Sequence, residues 1–425
     1  MISNGMRSDE GNSLGMRITR IVRWSLAAVI LGFGLWTLDQ DSRFWAALAT
    51  FLFSVPLVFQ ATPWPLVRTY ALWFGLFLVA QSWLSPLIKR DYLTLRPGMH
   101  ITVDVRTPDG PGLPPGLRHI TTDENGFRVV PRIDYARKAG VRIFAIGGST
   151  TEDIILDDST TWAHLLQNGL AARNVKAEVV NTGLSGLRAQ NHLATLKAIA
   201  GYSPDLVIFL VGGNDWNKQI KDKFEPSVGG KKPPYLRDSP FGEILQSFVV
   251  WPLQDRFMGK TGSSKNLIVD QPDGFNSDKQ RHSLDRPTRH LFRPSEVAAG
   301  YREDLAEISR TCRDKALQCM FLTQPHAYSH SAPQELLRLF WMTPPYADYS
   351  LDLDSMIYIA ALYNKFLLEF SRQNGHASCD VAAGLEPSVR LFYDDMHYTN
   401  EGARRVAEMA LPCVLKALNK SGRAD

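Results

Sequence analysis

Apolar positions follow two regimes along this chain. Through the first ninety residues they come in uncharged blocks, Trp24–Leu38, Phe44–Val67 and Thr69–Ile88. Crossing a bilayer as a helix takes about 20 apolar residues, in a range of roughly 17–25. The second and third blocks have that length. The first reaches it by adding Ile21 and Val22, with Arg23 snorkelling to the interface. Trp24, Trp45, Trp64, Tyr70 and Trp83 lie near block ends, where aromatic rings sit at a membrane surface. The pattern predicts a membrane anchor of about three transmembrane helices over residues 1–90.

From residue 91 to 140 Pro, Gly and charge dominate, which reads as a linker or small β excursion. Beyond it, short apolar runs alternate with helical patterns. Strands are expected at Val141–Ile146, Ala177–Val180, Leu206–Val211, Cys319–Thr323 and Ser378–Ala382. Helices are expected near Thr161–Ala172, Ala189–Gly201, Ser295–Ala316 and Ser355–Gln373. A last amphipathic helix follows Thr399, whose hydroxyl can cap it, with Ala403, Val406, Ala407, Ala410 and Val414 at helical spacing. Continuous apolar strands alternating with helices signal a parallel sheet covered on both faces, an α/β domain over residues 141–425. Residues 217–293 break the rhythm. They are polar and rich in Pro and Gly, with one helix-like patch at Phe241–Phe257, and read as an insertion at the sheet rim.

At 425 residues the chain exceeds one average domain, consistent with a large domain plus an appendage. Its net charge of +4 is spread without a long basic run, too mild to argue for nucleic acid. Arg7, Arg17, Arg20 and Arg23 put the N-terminus inside by the positive-inside rule, so three crossings place the domain outside the cytoplasm. Lys89, Arg90 and Arg96, just beyond the third block, pull the other way. Of the four cysteines, Cys312 and Cys413 lie near helix ends while Cys319 and Cys379 open strands. Helices antiparallel to the strands would bring all four to one rim, with Cys312–Cys319 and Cys379–Cys413 within bonding reach; four free thiols are the alternative. His, Cys and carboxylates do not cluster at metal spacing, so neither metal nor cofactor is expected.

In parallel sheets chemistry collects at the carboxyl ends of the strands. After the first strand comes IGGSTTED, with Ser149 on a Gly-Gly turn; after the second NTGLSGLRAQ, with Gly183 and Gly186. After the third comes VGGNDW, with Asn214 and Asp215, and after the last Asp394-x-x-His397. Together they supply a hydroxyl, backbone donors, an amide and an imidazole–carboxylate pair. Acyl transfer by serine needs those parts: a base for the hydroxyl proton, a carboxylate to fix the imidazole, and donors for the oxyanion. Trp216 is a candidate substrate contact. Trp341 and Tyr346 could line the acyl or sugar side, with packing the plainer reading, and His164 and His192 read as surface or satisfied core positions.

In the order of these four blocks, from about Val141 to the C-terminus, the sequence resembles the SGNH hydrolases, also called GDSL esterases or lipases. The resemblance implies a flavodoxin-like three-layer α/β/α sandwich with a five-stranded parallel sheet of order 2-1-3-4-5. It also implies Ser149 as nucleophile, His397 as base and Asp394 (not Asp395) as its orienter. The Ser149 and Gly186 N–H groups and the Asn214 amide would form the oxyanion hole. Gly147-Gly148-Ser149-Thr150 replaces the name-giving Gly-Asp-Ser-Leu, and Glu152-Asp153 stand where many relatives have small residues, which would make the pocket mouth acidic. The segment TTDENGFR (Thr121–Arg128) is similar to one preceding the domain in membrane-tethered relatives. The function expected is a membrane-anchored serine esterase facing the periplasm or exterior, cutting O-acetyl or short-chain esters on glycans. Lys218, Lys221, Lys223, Lys231, Lys232 and Arg237 in the insertion suit a hydrated glycan better than a lipid. Rival readings are an O-acyltransferase acting on polysaccharide, a phospholipase or thioesterase, and a non-catalytic glycan-binding or assembly subunit.

Overall fold

The computed structural model describes residues 94–95, 97–105, 112–153, 155–224, 265–269, 289–342 and 349–420. The three predicted spans, the patch Phe241–Phe257 and Tyr346 lie outside the described residues. Among the described residues no helix is long and apolar enough to cross a membrane.

In chain order the elements are strands β1 (His100–Val105), β2 (Gly116–Thr121) and β3 (Val141–Gly147), the one-turn helix α1 (Ser149–Glu152), α2 (Trp162–Ala171), β4 (Ala177–Asn181), α3 (Ala189–Ile199), β5 (Leu206–Leu210) and α4 (Gly213–Lys223). Then come β6 (Lys265–Val269), β7 (Arg289–His290), α5 (Ala299–Asp314), β8 (Cys319–Leu322), β9 (Ser350–Leu351), α6 (Leu353–Gln373), β10 (Ala377–Cys379) and α7 (Asn400–Lys420). The main sheet has the order β4-β3-β5-β8-β10, all parallel. That is the expected 2-1-3-4-5 order. Its central strands are buried along their length, as the unbroken apolar runs required: every residue of β5 and of β8 is buried. After β3 the chain steps to one side, to β4, and thereafter to the other. Right-handed crossovers then put α2 on one face and α3 to α6 on the other. The final helix α7 returns to pack beside α2. The reversal around β3 and β5 opens a crevice at their carboxyl ends.

Three boundaries differ from the sequence reading. The last strand stops at Cys379, because Asp380 accepts from the Thr323 hydroxyl (2.8 Å) while Thr323 Oγ1 accepts the Ala382 N–H (2.9 Å), turning the chain into a 3₁₀ turn. The insertion does not begin at Asn217, since that residue lies inside α4. Trp216, Gln219 and Ile220 face the core while Lys218 and Asp222 pair on the solvent side, so the polar majority conceals a short amphipathic helix. Of the two forms expected for residues 91–140, the structure shows the small β excursion. β1 and β2 form an antiparallel pair, and β6 from within the insertion adds to β1 in parallel, giving a sheet β2-β1-β6.

The α/β core also starts upstream of residue 141. Phe127 is fully buried, with its ring edge-on to Phe144 at 6.1 Å, and Arg128 and Asn181 exchange backbone hydrogen bonds of 3.0 Å. The Asp123 carboxylate shapes this turn by accepting the Asn125 (2.8 Å) and Phe127 (2.9 Å) N–H groups and the Tyr135 hydroxyl.

Candidate active site

β3 delivers the chain to the crevice and ends at Gly147; Gly148 turns it and Ser149 opens α1. A Cβ at Gly148 would sit 2.7 Å from Asn214 Nδ2 and push that amide aside. On the far side of the sheet the chain leaves β10 and forms a tight loop before α7. Tyr393 N–H donates to the His397 carbonyl (3.1 Å), and Thr399 N–H to the Leu391 carbonyl (3.0 Å). Thr399 Oγ1 accepts the Gly402 N–H at 3.1 Å, the expected cap of α7.

That loop brings His397 to Ser149, 248 residues earlier in the chain: His397 Nε2 lies 2.7 Å from Ser149 Oγ. His397 Nδ1 lies 2.8 Å from Asp394 Oδ2, and Asp394 Oδ1 accepts the Met396 (2.8 Å) and His397 (2.7 Å) backbone N–H groups. The Asp394 side chain is 1% exposed and that of His397 24% exposed. Burial alone would raise the Asp394 pKa, but the His397 ring and the two backbone N–H groups outweigh it and hold the carboxyl below its ordinary value. Burial likewise pushes His397 toward neutrality, and the Asp394 carboxylate overrides it, raising the imidazole above an ordinary histidine. A carboxylate on Nδ1 fixes the proton there, leaving the Nε2 lone pair for the serine hydroxyl. The Tyr393 ring lies almost parallel to the imidazole, centroids 5.6 Å apart.

The candidate oxyanion donors flank this line. Asn214 stands in the first turn of α4, its Nδ2 giving one hydrogen to the Leu187 carbonyl (2.9 Å) and keeping a second. Gly186 is exposed on the loop after β4 with φ +79°, a conformation that favours glycine. Among the described residues, the Ser149 and Gly186 backbone N–H groups donate to no protein acceptor. The crevice thus joins a hydroxyl with a base in line to donors without an acceptor, which is what nucleophilic attack on an acyl carbon needs.

Other expectations change. Trp216 is fully buried, edge-on to Tyr363 (6.1 Å) and His326 (6.3 Å), so it is core and cannot touch a substrate; two residues past Asn214 on a helix, it points to the opposite side. Glu152 and Asp153 do not line the pocket mouth. Both are buried, Glu152 bound to Ser185 and Asp153 accepting the Trp162 N–H at 3.1 Å. Burial raises the carboxyl of each, that of Asp153 to about 8. His164 Nδ1 meets the Val130 carbonyl at 3.1 Å. His192 is buried with Nδ1 unpartnered, and burial lowers its pKa to about 3, so it stays neutral.

Two functional supports escaped the sequence. Asp395 Oδ2 accepts the Tyr328 hydroxyl (2.7 Å) and the Trp341 (3.1 Å) and Met342 (3.2 Å) N–H groups, tying the chain after β8 to the histidine loop. Trp341 contributes that backbone contact. Arg128 is buried behind α1, pairing with Asp158 (2.8 Å) and donating to the carbonyls of Glu152, Asp153 and Leu156. The resemblance of TTDENGFR to tethered relatives was the one signal for it. Among the described residues no group of His, Cys, Asp and Glu could hold a metal ion.

Residues 145–247, which contain Ser149, Gly186 and Asn214, match the GDSL-like Lipase/Acylhydrolase family. Over that segment the match supports the GDSL-like (SGNH) superfamily. Its class is accordingly carboxylic ester hydrolase. No curated protein matches the chain. Among solved structures it is similar to TesA (16% identity, 65% of this chain and 99% of that one, TM-score 0.37). It is also similar to a catalytic mutant of the acetylxylan esterase Axe2 from Geobacillus stearothermophilus (12%, 66% and 96%, TM-score 0.35). A G-D-S-L family lipolytic protein from Desulfitobacterium hafniense is a third (11%, 64% and 99%, TM-score 0.35). At these scores the likenesses carry no argument about function.

Proposed function

We propose that this GDSL-like hydrolase is a membrane-anchored serine esterase that removes short acyl groups from extracytoplasmic glycans. The observation that carries the chemistry is the hydrogen-bonded line from buried Asp394 through His397 to Ser149 Oγ. Ser149 Oγ attacks the acyl carbonyl carbon as His397 Nε2 takes its proton, and Asp394 steadies the imidazolium. The carbonyl oxygen, now an oxyanion, is received by the Ser149 and Gly186 N–H groups and the Asn214 amide. The tetrahedral intermediate collapses, the alcohol leaves with the proton from His397, and an acyl-Ser149 ester remains. Water attacks that ester by the same route, releasing the acid and restoring the serine.

The three apolar blocks before residue 90 support the anchor. Two disulfides, Cys312–Cys319 and Cys379–Cys413, with Cα separations of 6.3 and 6.0 Å, support an oxidising compartment, since such bonds are rare in the cytosol. Lys231, Lys232 and Arg237, which remain in the insertion once it starts beyond α4, support a glycan acceptor. A series of nitrophenyl esters of increasing acyl length, given to the full chain in detergent beside Ser149→Ala, tests the substrate. Acetyl and other short esters should turn over far faster than long ones. Activity rising steadily with chain length, or requiring a lipid interface, would replace this reading by a phospholipase. A C-terminal reporter active only in the cytosol would overturn the compartment.

A further inference from the structure

The nucleophile and two of the candidate oxyanion donors sit on different segments, and the loop holding Gly186 is exposed. An oxyanion hole works only if its donors are fixed before the charge forms, so something must hold that loop against α1. The tie is a side chain that the sequence left as an oddity. Glu152 ends α1, three residues after Ser149, and is 1% exposed. Its Oε2 accepts the backbone N–H of Ser185 at 2.6 Å, and the Ser185 hydroxyl as well. Ser185 is the residue whose carbonyl shares a peptide plane with the Gly186 N–H. Beside it, Leu184 N–H donates to the Gly147 carbonyl (3.1 Å), and Gly183 lies so close to α1 that a Cβ would fall 2.2 Å from Glu152 N. Asn181, at the end of β4, donates from Nδ2 to the Thr151 carbonyl (2.5 Å) and accepts the Gly183 N–H (2.8 Å).

All of these contacts except the Glu152 pair involve residues before Ser185. Downstream, Asn214 holds the Leu187 carbonyl and Asp215 receives the Ala189 N–H at 3.3 Å. Glu152 therefore holds the residue just before the oxyanion donor, at its backbone N–H and its hydroxyl, within a turn that the Leu187 N–H closes on the Leu184 carbonyl (3.3 Å). We propose that Glu152 is a positioning residue for transition-state stabilisation: its buried carboxylate fixes Ser185, and through it the Gly186 N–H, relative to the Ser149 nucleophile. The inference rests on the serine-esterase reading above. It assigns a purpose to a carboxylate whose burial without function would be costly, since a buried acid is retained only where its acceptors are used.

The test is Glu152→Met in the full chain, a replacement of similar length that accepts no hydrogen bond, assayed for short-ester hydrolysis with active-site titration to count folded enzyme. Because the oxyanion donors act on the transition state more than on the bound ester, kcat should fall about 10- to 100-fold, less than the loss of a whole donor, while KM stays within about twofold. Glu152→Gln, which keeps one acceptor oxygen for Ser185, should recover most of that loss. Ser185→Ala removes only the hydroxyl donor from an exposed residue; it should lower kcat by about two- to fivefold and supplies the reading if Glu152→Met does not fold. A kcat for Glu152→Met within twofold of the parent, or a Ser185→Ala kcat unchanged where Glu152→Met is unfolded, overturns the assignment. So does a Glu152→Gln loss equal to that of Glu152→Met. Undiminished activity in Ser149→Ala would instead overturn the esterase mechanism itself, which separates the two failures.

Discussion

Replacing Asp394 by Asn separates the two adjacent aspartates of the histidine loop. Asp394 accepts three donors: the imidazole at Nδ1 and the Met396 and His397 backbone N–H groups. An Asn that keeps its carbonyl oxygen on the two backbone groups must turn its NH₂ toward His397 Nδ1. Two donors cannot face each other, so the imidazole moves its proton to Nε2 and presents a donor, not a lone pair, to Ser149 Oγ. The same change in a well-studied serine protease lowers kcat by about 10⁴, and a loss of about 10³ to 10⁴ is expected here with KM little changed. Asp395→Asn keeps an acceptor for Tyr328, Trp341 and Met342, so it should cost less than about 10-fold in rate. Steady-state hydrolysis of a short nitrophenyl ester from about pH 5 to 9 reads both effects. Parent activity should rise with pH as His397 loses its proton, with a midpoint above that of an ordinary histidine, and residual Asp394→Asn activity should rise at lower pH, because the Asp394 carboxylate raises the imidazole. Comparable losses at both positions, or the larger loss at Asp395, would refute the reasoning.

The folded state holds Asp153 protonated up to about pH 8, whereas an unfolded Asp ionises near the ordinary aspartate value of 3.8. Its contribution to stability is therefore full below the unfolded value and lost as pH rises toward about 8, so Asp153→Asn should gain stability relative to the parent at pH 8 and not at pH 4, by denaturant midpoint. An equal shift at both pH values would contradict this. Arg128→Met leaves Asp158 buried without its cation and three carbonyls without a donor, and should cost about 3–5 kcal/mol in unfolding free energy; a loss under about 1 kcal/mol would show that Arg128 is no anchor. Removing the Cys379–Cys413 bond, which spans 34 residues, should cost about 3.8 kcal/mol by chain entropy, against about 2.4 for the 7 residues of Cys312–Cys319. The reverse order in unfolding experiments would contradict that account.

What the sequence made legible was whatever local pattern controls. Five runs announced five parallel strands, and Gly-rich turns after them announced a candidate functional rim, because both follow from period and position within the chain. The contact between His397 and Ser149 was legible through the ordered blocks, although 248 residues separate them. Side-chain direction was not. Trp216 lies only two residues past Asn214, yet two helical steps turn it about 200° around the axis, so one faces the crevice and the other the core. Glu152 and Asp153 read as acids of the pocket mouth for the same reason: nothing local shows that Ser185 and Trp162 wait to bond them. Strand pairing between β1 and β6 joins segments with weak patterns of their own, and became visible only in three dimensions.

In the proposed mechanism Ser149, activated by His397, is the nucleophile. Peptide mapping by mass spectrometry after treatment with a small fluorophosphonate tests it most directly. The expected result is a single phosphonylated site at Ser149, absent in Ser149→Ala and strongly reduced in His397→Ala. A label on another residue, or undiminished labelling and ester hydrolysis in Ser149→Ala, would contradict the account.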